Sequence, residues 1–514
     1  MAVLTRHAKL EWPGRTRVLV ALAFCLALGA LMLVEGSEAT PSQDAQAGAL
    51  NDPAVRSHLA ENGFDRVVTT LLDESTTRVA FFDGTRVVLE AAVSRGGRVT
   101  ALNRYDDRRA RVGSEVGQRW PALTALVALF LLATLRFPLK RIENVDVAVL
   151  AGFVAPIVLL NERFLVWSVL TASALLAYLT ARCVVAAFAP SPGPGHFVFD
   201  RLSRWSRRAC VAGAAVALAV LSVPGGLVSD VAFASMAGAT KLLDGVLPYG
   251  NLTYSELVHG DTYPLLAYLA YIPGALVAPV RDGFDNLDGA LWVATGFSFL
   301  AAGALGVAVR RAGGDGSRAA LAMLAFPPVM IAASSGSNDV VAAALVALAL
   351  ALGSTAVLTA AGWVKLAPLA LVPLWIVAVR RRGRALVGAL VVTAGVVAGL
   401  VALGGPGGML DMARSVSFQA RRSSLLSPWT LLGVGGMQLM FQAAVIAGIA
   451  GAGLRVWGDR ALAADPRRMA ALGAAILLAI QLAANYWSYT YLAWAFPLIA
   501  LALLTPSRPR APSA

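Results

Sequence analysis

The chain has 514 residues, 58% hydrophobic and only 14% charged, with a mean hydropathy of +0.68. That balance excludes an ordinary soluble protein, which would expose far more charge. The net charge of +13 does not point to nucleic acid, because the arginines stand in short clusters between apolar runs, as cytoplasmic loops require. Cys25, Cys183 and Cys210 lie far apart without metal-ligand spacing, so neither a disulfide framework nor a zinc site is expected.

Many runs approach the roughly 18 apolar residues that cross a bilayer, which defines an all-α polytopic membrane protein. Arg6, Lys9, Arg15 and Arg17 precede the run 18–34 and put the N-terminus in the cytoplasm. Ser37-Glu38-Ala39 would suit a signal peptidase, but a retained anchor over 1–35 is the preferred reading. Residues 36–118 then lie outside. Within them, Pro53 to Asn62 reads as a short helix, and Thr77 to Phe82 and Thr85 to Val93 flank the turn pair Asp83-Gly84. Arg98 to Leu102 is a third candidate strand. A small extracytoplasmic α+β insert with a binding or spacer role is expected.

Spans near 119–137, 145–161 and 164–187 follow, with Arg136, Lys140, Arg141 and later Arg201, Arg204, Arg207 and Arg208 in cytoplasmic loops of the 119–208 segment. The run 209–228 travels outward. From the other end, Arg380, Arg381, Arg382, Arg384, Arg455, Arg460, Arg467 and Arg468 read as cytoplasmic, as does the tail 506–514. Counting 263–280 and 356–379 as full spans gives about 14 crossings and puts Arg310, Arg311 and Arg318 outside. Treating both as interfacial or re-entrant gives about 12 and restores the positive-inside rule, with Pro264, Pro273, Pro279, Pro368 and Pro373 as breakers.

Asp230 stands at the outer mouth of the 209–228 run. A carboxylate there, facing a long outer loop, is where an enzyme of a lipid-borne substrate would keep its base; the bland alternative is a carboxylate that merely starts a loop. The following segment, 231–246, carries Lys241 and Asp244 three apart, as expected of an amphipathic helix on the outer membrane surface. The turn Gly245-Val-Leu-Pro248-Tyr249 then leads to His259-Gly-Asp261-Thr-Tyr263-Pro264. The outer loop 404–427 offers Arg414, Gln419, Arg421 and Arg422, basic residues that are unusual on an outer face. They suit either a phosphate or anionic headgroups. Lys365, inside an apolar stretch, faces a polar cavity or snorkels to an interface. Ser334 to Asp339 is a polar break in which Asn338 and Asp339 would line an acceptor pocket or form a plain loop. Trp487, Tyr489, Tyr491 and Trp494 are expected in an interfacial aromatic belt.

The pattern Asp230-Val-Ala-Phe, then Leu-Leu-Asp-Gly-Val-Leu-Pro-Tyr249, then Asp261-Thr-Tyr-Pro-Leu-Leu-Ala-Tyr-Leu resembles the first outer loop of GT-C superfamily glycosyltransferases. More narrowly it is similar to the family 87 group of actinobacterial polyprenyl-phosphate-sugar transferases, across 209–505. Tyr263-Pro264-Leu265 lacks that group's second proline. The resemblance implies a GT-C-like catalytic membrane domain that moves mannose or arabinofuranose from a polyprenyl phosphate to a lipid or glycan acceptor outside the plasma membrane. It implies Asp230 as general base, with His259, Asp261, Tyr263, Tyr249, Asn338 and Asp339 on the acceptor side. Arg421, Arg422, Arg414, Gln419 and Lys365 would meet the donor phosphate. No Asp-x-Asp motif marks a nucleotide-sugar metal site, so no metal and no cofactor beyond the sugar donor is expected. The competing class is a transporter or flippase, though no internal repeat is evident. A third reading is an assembly or sensing partner using the insert.

Overall fold

The computed structural model describes residues 43–72, 75–104, 120–188, 196–223, 228–252, 260–281 and 287–505. The expected first anchor, the C-terminal tail and His259 lie outside them, as does the side chain of Arg421.

The described part of the insert forms two helices, Gln43–Asn51 and Pro53–Asn62, and four strands: β1 (Arg66–Leu71), β2 (Thr76–Asp83), β3 (Arg86–Ser94) and β4 (Val99–Arg104). The second helix starts where Asp52 accepts from the backbone N–H groups of Ala54 and Val55 ahead of Pro53, and ends at Gly63 with φ +69°. The strands pair antiparallel in sequence order. β1 was not anticipated. Side chains alternate across a strand, and both faces of β2 are covered. Val79 and Phe81 pack with Ala45 and Ala49 of the first helix and Val55 and Leu59 of the second. Ala80 and Phe82 pack with Leu165, Val169, Leu425 and Leu431 of the membrane part. The Val87 amide also donates to the Arg163 carbonyl at 3.3 Å. The insert is therefore docked on the helix ends.

Among the described residues, seven helices are long and apolar enough to cross a bilayer, or eight segments if Gly316–Ala325 and Pro327–Ser334, bent by 59°, count as one. Shorter apolar helices cover Pro121–Thr134, Asp339–Leu352, Ala367–Ala378 and Tyr489–Leu504. The chain is a multi-pass helical membrane protein with a small antiparallel sheet near its N-terminus.

Contacts between loops define two ends. At one end, Arg136–Phe137 pairs with His196–Phe197. Arg207 meets Asp315 at 2.9 Å, and Arg318 meets Asp200 at 3.7 Å. Arg382 covers Trp457, and Arg467 donates to the Ala502 carbonyl. The basic loops read as cytoplasmic thus share an end, and that end includes the 311–318 loop, whose side depended on the span count.

The two doubtful segments both turn back. Residues 263–280 form only Leu265–Leu269 and Ile272–Val277, broken around Tyr271 ahead of Pro273. Gly274 abuts Gly289, in the first turn of the Asp288–Arg311 helix, so the segment never leaves the end at which it starts. Residues 355–378 rise as Thr355–Gly362, break around Lys365, and return through Val372–Ala378. Gly353 and Arg380, on either side of this excursion, line one cavity at the basic end.

The Asp230–Leu243 helix is not a surface helix. Residues 232–240 are all buried, against 265–277 and the start of the Asp288–Arg311 helix. Ala234, Ser235, Ala237, Gly238 and Ala239 present so little bulk that neighbours approach from every side. A Cβ on Gly238 would run into the Tyr268 ring. The polar pair Lys241 and Asp244 belongs only to its last turn.

Candidate functional site

At the end opposite the basic loops, Asp230 opens its helix. Ser229 caps that helix, accepting from the Ala232 amide at 3.2 Å while its hydroxyl and amide both donate to the Ser335 carbonyl at 3.0 Å. The turn 335–339 is fixed in return: Tyr271 Oη donates to the Gly336 carbonyl at 2.8 Å, and Asn338 Nδ2 to Ser235 Oγ at 3.2 Å. Gly336 has φ +66° and lies where a Cβ would meet Ala232, so this turn needs glycine. The Asp230 carboxylate is exposed; its Oδ1 accepts from the Val231 amide at 2.8 Å.

Asp339 is wholly buried and is met by three donors. Lys365 Nζ lies 3.2 Å and Trp494 Nε1 3.1 Å from Oδ1, and Ser337 Oγ lies 2.7 Å from Oδ2. Lys365 also sits 4.6 Å from the Tyr263 ring centre and 5.2 Å from that of Tyr491. Its charge is matched inside the protein by Asp339 and two aromatic faces, the arrangement a buried cation needs.

The second carrier of charge is Arg422. Its guanidinium lies 3.6 Å from the centre of the Tyr486 ring. Burial opposes its charge, but Tyr486, Tyr491 and Tyr263 outweigh that and hold its pKa above the ordinary guanidinium value. Tyr486 stands edge-on to Tyr491 at 6.0 Å, and Tyr491 lies 5.7 Å from Trp494. An aromatic wall therefore runs from Arg422 to the Lys365–Asp339 pair. Burial first, and then the negative charge of Asp230, hold the Tyr263 phenol above its usual pKa. Tyr486 is likewise raised, by burial first, with Arg422 opposing and Asp230 reinforcing. The carboxylate and the guanidinium thus act on the same two phenols.

Three elements fix Arg422. The helix Gly408–Arg421 is tied to the turn ahead of Leu265–Leu269 by Ser415 Oγ on Asp261 Oδ2 (2.7 Å) and Gln419 Nε2 on Thr262 Oγ1 (2.7 Å). Asn485 Nδ2 donates to the Ala420 carbonyl at 2.7 Å. Beyond Arg422, Ser423 Oγ accepts from the Leu71 amide on the open edge of β1 at 3.0 Å, so the insert buttresses the loop.

The other expected site residues have more local places. Asp261 also accepts from the Gly250 amide at 2.8 Å, fastening the 250 turn. Tyr249 is buried, with its hydroxyl on the Tyr263 carbonyl at 3.1 Å. Arg414 is 80% exposed, 3.7 Å from Asp411 one turn back, and pairs there rather than with Asp230's neighbours. The C-terminal aromatics depart from a membrane belt. Trp487, Tyr489 and Trp494 are buried in protein and hydrogen-bonded to Gln481, Ser168 and Asp339. Sequence reasoning missed Tyr486 as the ring under Arg422, and Ser415 and Ser423 as fasteners. The polar-aromatic run 485–489 was the available signal. Among the described residues, no group of three or more His, Cys, Asp or Glu side chains could hold a metal ion.

Comparison with protein-family models, with curated proteins and with solved structures finds no match.

Proposed function

We propose that the chain is a GT-C-like glycosyltransferase of the plasma membrane, moving a sugar such as mannose or arabinofuranose from a polyprenyl-phosphate donor to a hydroxyl of a lipid or glycan acceptor outside the cell. One observation carries this reading: an unbroken run of contacts joins the start of the Asp230 helix to Arg422, 192 positions later in the sequence, from Ser229 on Ser335 through Ser337 on Asp339, Lys365, Tyr491 and Tyr486. In the reaction, the acceptor oxygen attacks the anomeric carbon as its proton passes to Asp230. The bond from that carbon to the phosphate oxygen breaks, its electron pair stays on the phosphate, and the configuration inverts. Arg422 meets the growing phosphate charge with a planar fork of donors, so the proposed step uses no metal ion. Lys365 and Asp339, each already paired, stiffen the wall behind the donor.

The topology that goes with this chemistry has about 12 crossings, including the 18–34 run and shorter apolar helices, with 263–280 and 355–378 turning back. The shared end of the arginine loops supports a cytoplasmic assignment for that end and an outer position for Asp230.

The test is transfer by the purified protein from defined polyprenyl-phosphate sugars. Wild type is expected to form product and Asp230→Asn to lose about 10²–10⁴-fold in rate. Wild-type activity in Asp230→Asn refutes the assignment of the base. The transporter alternative draws on the two broken segments and the buried Lys365–Asp339 pair, features that also occur in transporters. Substrate crossing sealed vesicles without chemical change favours it.

A further inference from the structure

The basic end holds a cavity of about 790 Å³ that the proposed transfer does not use. It lies where the Asp288–Arg311 and Asp339–Leu352 helices end and where the excursion 355–378 begins and ends. Arg311, Arg380 and Arg460 line it and are exposed, whereas Trp375, Met469 and Leu501 line it and are buried. The cavity therefore has a basic mouth and an apolar interior, and its volume falls within the range of small-molecule sites.

The charge around it is not balanced by acids. Among the described residues, no carboxylate lines the cavity. The nearest acids in the chain are engaged elsewhere: Asp459 accepts from the Leu462 amide and pairs with Arg455, and Asp465 accepts from the Arg467 and Arg468 amides. The two long helices ending here each bring about half a negative charge at their carbonyl ends, and Arg311 donates to the Ala351 carbonyl at one of them. Set against the guanidinium groups of Arg380 and Arg460 alone, this leaves a surplus of about one positive charge. A phosphate group carries the complementary charge. A fully water-soluble phosphate would leave the apolar walls uncovered, and a neutral alkyl chain would leave Arg380 and Arg460 unmatched.

We propose that this cavity is a binding site for an anionic phospholipid, with the phosphate at Arg380 and Arg460 and an acyl chain against Trp375, Met469 and Leu501. It is independent of the glycosyl-transfer reading, since it lies at the opposite end from Asp230.

The test uses the full chain in nanodiscs of phosphatidylcholine containing phosphatidylglycerol brominated midway along its acyl chains. Bromine quenches tryptophan on contact, so part of the fluorescence is expected to fall with phosphatidylglycerol content, and Trp375→Phe removes that part. Arg380→Gln/Arg460→Gln is expected to need about 30-fold more anionic lipid for the same quenching, at roughly a factor of five per basic residue. Arg414→Gln, at the other end, should not change it. Native mass spectrometry gives a second readout that needs no tryptophan variant: wild type retains phosphatidylglycerol and the double variant loses it. Equal quenching by brominated phosphatidylcholine, or retention unaffected by the double variant, overturns the proposal. So does displacement of the lipid by inorganic phosphate, which would assign the site to the free anion.

Discussion

Replacing Lys365 by methionine would leave the Asp339 carboxylate wholly buried with two neutral donors, Ser337 Oγ at 2.7 Å and Trp494 Nε1 at 3.1 Å. Removing one partner of a buried ion pair costs about 3–5 kcal/mol, because the other charge stays out of water without compensation. The reverse change, Asp339→Asn, strands the ammonium instead. There the Tyr263 and Tyr491 rings, at 4.6 and 5.2 Å, still face it and offset about 1 kcal/mol of the loss. Lys365→Met is therefore expected to be the more damaging single change. The double variant should be more stable than the sum of the two predicts by at least about 2 kcal/mol. Reversible unfolding of the purified protein in mixed micelles, followed by tryptophan fluorescence, measures all four corners of the cycle. Single costs below about 1 kcal/mol, or losses that add to within about 0.5 kcal/mol, would refute a charge-compensated pair.

Arg422→Gln should slow sugar transfer by about 10²–10³-fold, as expected when a donor aimed at developing charge is removed. Arg422→Lys should recover only part of the rate, and Arg414→Gln should stay within about twofold because that side chain is exposed. Gly238→Ala drives a methyl into the Tyr268 ring and should cost about 1–3 kcal/mol or more in the same unfolding assay. Phe82→Ala, wholly buried between the insert and the helix ends, should cost about 3–5 kcal/mol and expose the 423–431 loop to protease. The raised pKa values of Tyr263 and Tyr486 make the unfolded chain lose its phenolic protons first. Their stabilisation is complete below about pH 10 and is lost as the pH climbs toward the folded-state values. Alkaline melting curves should show this fall, and Tyr486→Phe should flatten it.

Much of the fold was legible because local chemistry announced it. Asp52 before Pro53, with Gly63 beyond, fixes a helix at both ends. Gly84-Thr85, one residue on from the expected Asp83-Gly84, closes the β2–β3 hairpin. The strand β1 was passed over because Val67, Val68, Thr69 and Thr70 form a continuous β-branched run without polar alternation. The arginine loops could be grouped from the positive-inside rule alone, and Arg207–Asp315 and Arg318–Asp200 join the loops whose grouping was in doubt. The burial of the Asp230–Leu243 helix was not legible. Its polar pattern rested on two residues of the last turn, while its small residues left the packing side undefined. The site shows the same division. Asp230 and Arg422 stood out by charge type and position. The pairing of Lys365 with Asp339, and the ring of Tyr486 beneath Arg422, depend on contacts between segments far apart in sequence, which no local pattern encodes. The aromatics near the C-terminus were read as an interfacial belt because composition and position along the chain cannot distinguish an aromatic packed inside the protein from one at the membrane surface.

The most direct measurement of the central claim follows an isotope-labelled sugar on a polyprenyl phosphate supplied to wild type, Asp230→Asn and Arg422→Gln in proteoliposomes, with product and released polyprenyl phosphate both quantified. Wild type should transfer the label to an acceptor hydroxyl with one polyprenyl phosphate freed per glycosidic bond, and both variants should be nearly silent while remaining folded. Label that stays on its original carrier with wild type, or transfer that proceeds equally well without either side chain, would contradict it.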